Sequence, residues 1–154
     1  MSTILEEIIK RKGNFIILIT SLDTQLLIKL IDELKKDLKF TYLQFTQLGL
    51  EYDSNIIKKR IDDFQDTCIL IYGLYFPLDI KCDCHINLSI NHHRFEEVKE
   101  ENKYENEFYQ KYLDKSKESS ITKYINIKPD TDIKILGDLV FEYISNRINY
   151  LLKK

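Results

Sequence analysis

The densest group of potential metal ligands in the sequence is Cys82-Asp83-Cys84-His85, which is followed by His92-His93. Thiolate sulfur and imidazole nitrogen are the ligands that zinc prefers in proteins. The spacing is poor for such a site, because neighbours such as Cys84 and His85 point to opposite faces of a strand and the chain has no C-x-x-C pair. The pattern favours a buried Cys84 with histidines on the surface, and we predict no metal site.

Two other patterns could do covalent or acid–base chemistry. A nucleophilic enzyme needs Ser or Cys beside a base. Cys68 lies in an apolar stretch typical of a core, and we expect Ser89 to approach His85 only if their strand bends. The acidic pairs are adjacent in sequence, so on helices their side chains diverge around the axis; these pairs are Glu6-Glu7, Asp62-Asp63 and Glu96-Glu97. We therefore predict no catalytic residue among them.

Hydrophobic periodicity places these residues on an alternation of strands and helices. Predicted strands cover 15–19, 40–45, 67–72, 84–90 and 121–127; predicted helices cover 2–12, about 24–38, about 54–64, 94–115 and about 132–151. Strands separated by helices indicate right-handed βαβ crossovers and a parallel sheet. We predict one domain over 1–154, with a three-layer α/β/α architecture and a mostly parallel five-stranded sheet.

Polar side chains mark the predicted helix starts. The segment Thr20-Ser21-Leu22-Asp23 offers caps for the first long helix after the strand at 15–19. In the closing helix, Asp130 or Thr131 is the expected cap, because Pro129 ends the preceding strand. On the strand at 84–90, His85, Asn87 and Ser89 alternate with apolar residues, which predicts one wetter face.

The region from Thr67 to Glu101 has a distinctive order of features. An apolar strand is followed by Gly73, Tyr75-Phe76, Pro77, Asp83, a second strand to Ser89, and then Arg94 at the start of a charged helix. This order resembles uridine kinases and the neighbouring nucleoside and nucleoside-monophosphate kinases. In those enzymes a buried strand ends at a glycine near the substrate, an aspartate precedes the next strand, and an arginine-bearing helix closes over the phosphates.

That resemblance extends to the helix containing Leu30-Ile31-Asp32-Glu33-Leu34, which is similar to the helix that follows the phosphate-binding loop in the family. It implies a P-loop kinase-like fold with a lid-like charged segment at about 91–118. Where these kinases carry lid arginines, this chain has Arg94 followed by four glutamates, and Lys99 is the other remaining cation; the glutamates are Glu96, Glu97, Glu100 and Glu101.

The phosphate-binding sequence of the family is missing. A P-loop needs G-x-x-x-x-G-K-[ST], whose backbone N–H groups wrap the phosphates while the lysine and the hydroxyl bind phosphate and magnesium. The corresponding segment is Thr20-Ser21-Leu22-Asp23-Thr24-Gln25, which has neither glycine nor lysine and is several residues shorter. Asp23 falls near the lysine position, where a carboxylate repels phosphate. Since phosphoryl transfer is largely positioning and charge stabilisation, we predict that this activity is lost.

Composition narrows the classes of function further. With 154 residues, 44% apolar and 31% charged, the chain has the balance of a globular domain. Its net charge of -2 argues against a nucleic-acid partner, and no apolar run approaches the length of a membrane helix. An acidic N-terminus and three cysteines predict a cytoplasmic protein. The abundance of Ile, Lys, Asn and Tyr, without alanine, suggests an A/T-rich genome such as that of a large DNA virus.

Two hypotheses of function follow. The first is a catalytically inactive kinase-like protein without a cofactor, which acts through a protein partner or a homo-oligomer by way of 20–25 or the tyrosine-rich 94–115. The alternative is a divergent nucleoside or nucleotide kinase, or a nucleotide-binding protein, that holds ATP and magnesium at the carboxyl ends of its strands. The residues expected to line that pocket are Thr20, Ser21, Asp23, Thr24, Gly73, Tyr75 and Arg94.

Overall fold

Five parallel strands form one sheet in the computed structural model, which describes residues 15–21, 23–45, 58–59, 61–64, 68–73, 82–90, 122–127 and 130–152. The strands are β1 (Phe15–Ser21), β2 (Thr41–Phe45), β3 (Cys68–Gly73), β4 (Cys84–Ile90) and β5 (Thr122–Ile127). Two helices are described, α1 (Thr24–Leu34) after β1 and α2 (Ile133–Leu152) after β5. The predicted α/β class and the predicted number of strands are confirmed.

Strand β1 lies at the centre of the sheet, whose order is β2-β3-β1-β4-β5. It pairs with β3 from Phe15 to Thr20 and with β4 from Ile17 to Ser21, in parallel on both sides. After β1 the chain continues to β2, at one edge of the sheet. After β4 it continues to β5, at the opposite edge. The carboxyl ends of β1 and β4 therefore lie at a topological switch point, where open α/β sheets bind ligands.

The larger hydrophobic core lies between the sheet and the two helices. On this side, which we call the helix face, alternate residues of β1, β3 and β4 pack against buried positions of α1 and α2. The buried sheet residues are Phe15, Ile17, Ile19, Cys68, Leu70, Cys84, Ile86, Leu88 and Ile127. Helix α2 contributes Leu136, Val140, Ile144 and Ile148, as its 3.6-residue periodicity predicts.

A smaller cluster lies on the opposite face of the sheet. It contains Leu18, Ile69 and Ile71 from β1 and β3, with Ile61 from outside the sheet. Because β1 and β3 are buried on both faces, their sequences are continuous apolar runs rather than alternating ones, as is typical of central parallel strands.

Helix α1 begins at Thr24 because Asp23 caps it: the Asp23 Oδ1 accepts a hydrogen bond of 3.2 Å from the Leu26 N–H. Its apolar residues recur at helical spacing, and Leu27, Leu30, Ile31 and Leu34 are buried. The cap and this stripe confirm the interpretation of the sequence.

Two details of the sequence interpretation were wrong. Strand β1 extends to Ser21 rather than ending at Ile19, because Thr20 and Ser21 continue the pairing with β4. Helix α2 is capped by Asp132 rather than by Asp130 or Thr131, since the Asp132 Oδ1 accepts from the Lys134 N–H at 2.8 Å. The predicted helices at 2–12 and 94–115, and most of the one at 54–64, lie outside the described residues.

Packing of α1 against the sheet can be tested with two substitutions on the same helix. Leu30 is fully buried, whereas Ile28 is 45% exposed on the outer side of α1. We expect Leu30→Ala to lower the free energy of unfolding by about 2–5 kcal/mol through lost burial and a cavity. Ile28→Ala should change it by no more than about 0.5 kcal/mol. Urea unfolding of both variants measures the difference, and equal effects would contradict the described orientation of α1.

Candidate functional site

The carboxyl end of β1 and the neighbouring first half of β4 bring together polar side chains inside the protein. Thr20 and Ser21 on β1, and His85 and Asn87 on β4, are at most 2% exposed. Thr20 lies beside Asn87 in the strand register and beside Gly73 on its other side. Buried polar groups are costly unless they form hydrogen bonds, so their partners decide what this region can do.

Four of the side chains form one connected chain of hydrogen bonds. Ser89 Oγ donates to Asn87 Oδ1 at 3.3 Å, and Asn87 Nδ2 donates to Thr20 Oγ1 at 2.9 Å. Thr20 Oγ1 lies 3.0 Å from His85 Nε2. The Thr20 hydroxyl can accept a second hydrogen bond or donate its own proton, so the direction of its contact with His85 depends on the imidazole tautomer.

Burial keeps His85 neutral. It lowers the pKa of the imidazole from 6.5 to about 4, since the charged form would have to leave water. The prediction that the histidines of this region lie on the surface was therefore wrong for His85. The prediction of a wetter face on β4 was wrong for His85 and Asn87, which pair with each other through Thr20 instead of facing solvent.

The connection from β1 to α1 is very short, with only Leu22 and Asp23 between Ser21 and Thr24. Its polar groups are engaged locally. Ser21 Oγ donates to the Leu88 carbonyl at 3.0 Å and accepts from the Asp23 N–H at 3.1 Å. The hydroxyl thus links the end of β1 both to β4 and to the start of α1.

The start of α1 carries negative charge where a phosphate-binding helix needs free N–H groups. Asp23 is 8% exposed, and its carboxylate accepts from the Leu26 N–H. Thr24, one of the residues expected to line a nucleotide pocket, is the exposed first residue of α1.

The structure therefore brings Thr20, Ser21, Asp23 and Gly73 close to the switch point, with Thr24 at its rim. Thr20 and Ser21 are buried strand residues rather than parts of an open loop. Tyr75 and Arg94, the other residues predicted to line a nucleotide pocket, lie outside the described residues.

Asp83 holds the start of β4 in place. It lies just before β4, at the amino edge of the sheet and thus away from the switch point. Its Oδ2 accepts from the Ile16 N–H at 2.8 Å, and its own N–H donates to the Ile16 carbonyl at 2.8 Å. Arg147 Nε donates to the Asp83 carbonyl at 2.8 Å, which ties α2 to this edge. These contacts fix the start of β4 against β1.

The cysteines are free thiols in a protected environment. Burial, with a smaller effect of nearby negative groups, raises the pKa of Cys82 to about 11 and that of Cys84 to about 12, and it raises that of Cys68 further. Such thiols are poor nucleophiles at neutral pH. In the described part of the chain, no group of three or more His, Cys, Asp or Glu side chains is placed to hold a metal ion.

The sequence interpretation missed the connection between His85, Asn87 and Ser89. All three are on one face of β4, since residues two apart in a strand point the same way. That spacing was visible in the sequence. In the structure, hydrogen bonds through Asn87 and Thr20 connect Ser89 to His85, and the strand does not need to bend. The contribution of Thr20 could not be seen, because it depends on the register between β1 and β4.

A comparison with known protein families and with curated proteins found no match for the chain. Over the residues that the structure describes, neither helix is long and apolar enough to cross a membrane.

The neutral His85 predicts a specific dependence of stability on pH. Its pKa is about 4 in the folded protein and 6.5 when unfolded, so between these values the unfolded state binds the proton and the folded state does not. Stability from this group is intact above about pH 6.5 and is lost as the pH falls toward 4, by roughly 3 kcal/mol in total. We expect His85→Gln, whose side-chain amide can either donate to or accept from Thr20, to remove this loss.

Urea unfolding at a series of pH values gives the free energy of unfolding of the wild type and of His85→Gln. The difference between the two isolates the effect of His85, because the carboxylates titrate in both proteins. The double variant His92→Gln, His93→Gln is the control and should keep the wild-type slope. A difference curve that is flat between pH 6.5 and 4 would show that His85 is not held neutral.

Two substitutions distinguish the hydrogen bond that Asp23 accepts as an N-cap from the charge of its carboxylate. Asn is as good an N-cap as Asp, whereas Ala cannot accept the Leu26 N–H. We expect Asp23→Ala to lower the free energy of unfolding by about 1 kcal/mol and Asp23→Asn to change it by only a few tenths. Thermal or urea unfolding checks this, and equal losses in both variants would mean that the charge, rather than the hydrogen bond, stabilises α1.

Proposed function

We propose that this chain is a catalytically inactive protein on a kinase-like α/β scaffold, which acts through contacts with proteins rather than by phosphoryl transfer. The observation that carries the proposal is the start of α1, where the Asp23 carboxylate caps the helix after a connection of two residues. In a phosphate-binding site the same N–H groups and the helix dipole would be free to bind the anion.

The surrounding hydrogen bonds support this proposal. Ser21 bonds to Leu88 and to the Asp23 N–H, while Thr20 bonds to His85 and Asn87. A ligand that used these groups would have to replace bonds already formed in the protein interior, and each buried group left without a partner costs about 1–3 kcal/mol. The polar residues at the switch point thus serve to hold β1, β4 and α1 together.

A second candidate is a nucleotide or nucleoside binder with an unconventional phosphate site. The observation that favours it is the position of Thr20, Ser21 and Gly73 at the switch point of a parallel sheet, which is where such folds take ligands. In this candidate Arg94 supplies the cation that the β1–α1 connection lacks.

The two candidates predict different responses to nucleotide. Under the first, excess Mg-ATP, other nucleoside triphosphates and free nucleosides leave the thermal unfolding midpoint of the full chain unchanged. Under the second, a ligand at about 100 times its dissociation constant adds about 2.7 kcal/mol, which raises the midpoint by roughly 5–10 °C. Thermal unfolding with and without each ligand is the measurement.

A clear rise with any nucleotide would overturn the first candidate. In that case Arg94→Ala should reduce the rise, while the matched variant Lys39→Ala should leave it intact. Lys39 is an exposed cation just before β2, at the edge of the sheet away from the switch point. Equal rises in both variants would remove Arg94 from the second candidate's site.

A further inference from the structure

We draw no further inference here: the strongest candidate, the exposed apolar patch on the outer side of α2 that carries Ile135, Leu139 and Tyr150, adjoins the exposed carboxylates of Asp138 and Glu142, and nothing in the described part of the structure shows what covers it.

Discussion

The burial of β1 between β3 and β4 is the constraint on which the rest of the structure depends. Its residues contribute to both faces of the sheet, so the larger core beneath α1 and α2 and the smaller cluster on the opposite face are both built around this strand. Two parallel pairings set its register, and that register decides which polar side chains meet at its carboxyl end. A shift of one residue would exchange the faces of the whole strand, so Thr20 could no longer meet His85 and Ile19 would leave the core.

The polar end of β1 stabilises one register among several that an apolar strand could adopt. A run such as Phe15 to Ile19 is apolar at every position, and alternative pairings would bury similar apolar area. The hydrogen bonds of Thr20 with Asn87 and His85, and of Ser21 with the Leu88 carbonyl, form in the observed register. In the low dielectric of the interior their loss would leave donors and acceptors unsatisfied, which makes the alternatives costly. These residues thus help to specify the register in which β1 pairs with β4.

The sequence predicted the elements well where a single periodicity decided them. The stripe of α1, the Asp23 cap, the alternation of β4 and the helical pattern of α2 all follow from contacts within one segment. The predictions from the sequence were wrong where a residue's environment depended on a second segment of the chain. Thr20 and Ser21 have the composition of a turn, but β4 supplies partners that keep them in the strand, and His85 is polar but buried because Thr20 lies opposite. The pairing between strands 65 or more residues apart in the chain is not encoded in the local pattern of either one.

The distribution of polarity differs between the switch point and the outer side of α2. At the switch point, polar side chains are buried and bonded to one another, while on α2 large apolar side chains are exposed beside Asp138 and Glu142. Arg147 restrains Tyr150 and is itself anchored on Asp83, which fixes the start of β4 against β1. The contacts that fix the start of β4 against β1 therefore also restrain Tyr150, which connects the central strands of the sheet to the outer side of α2.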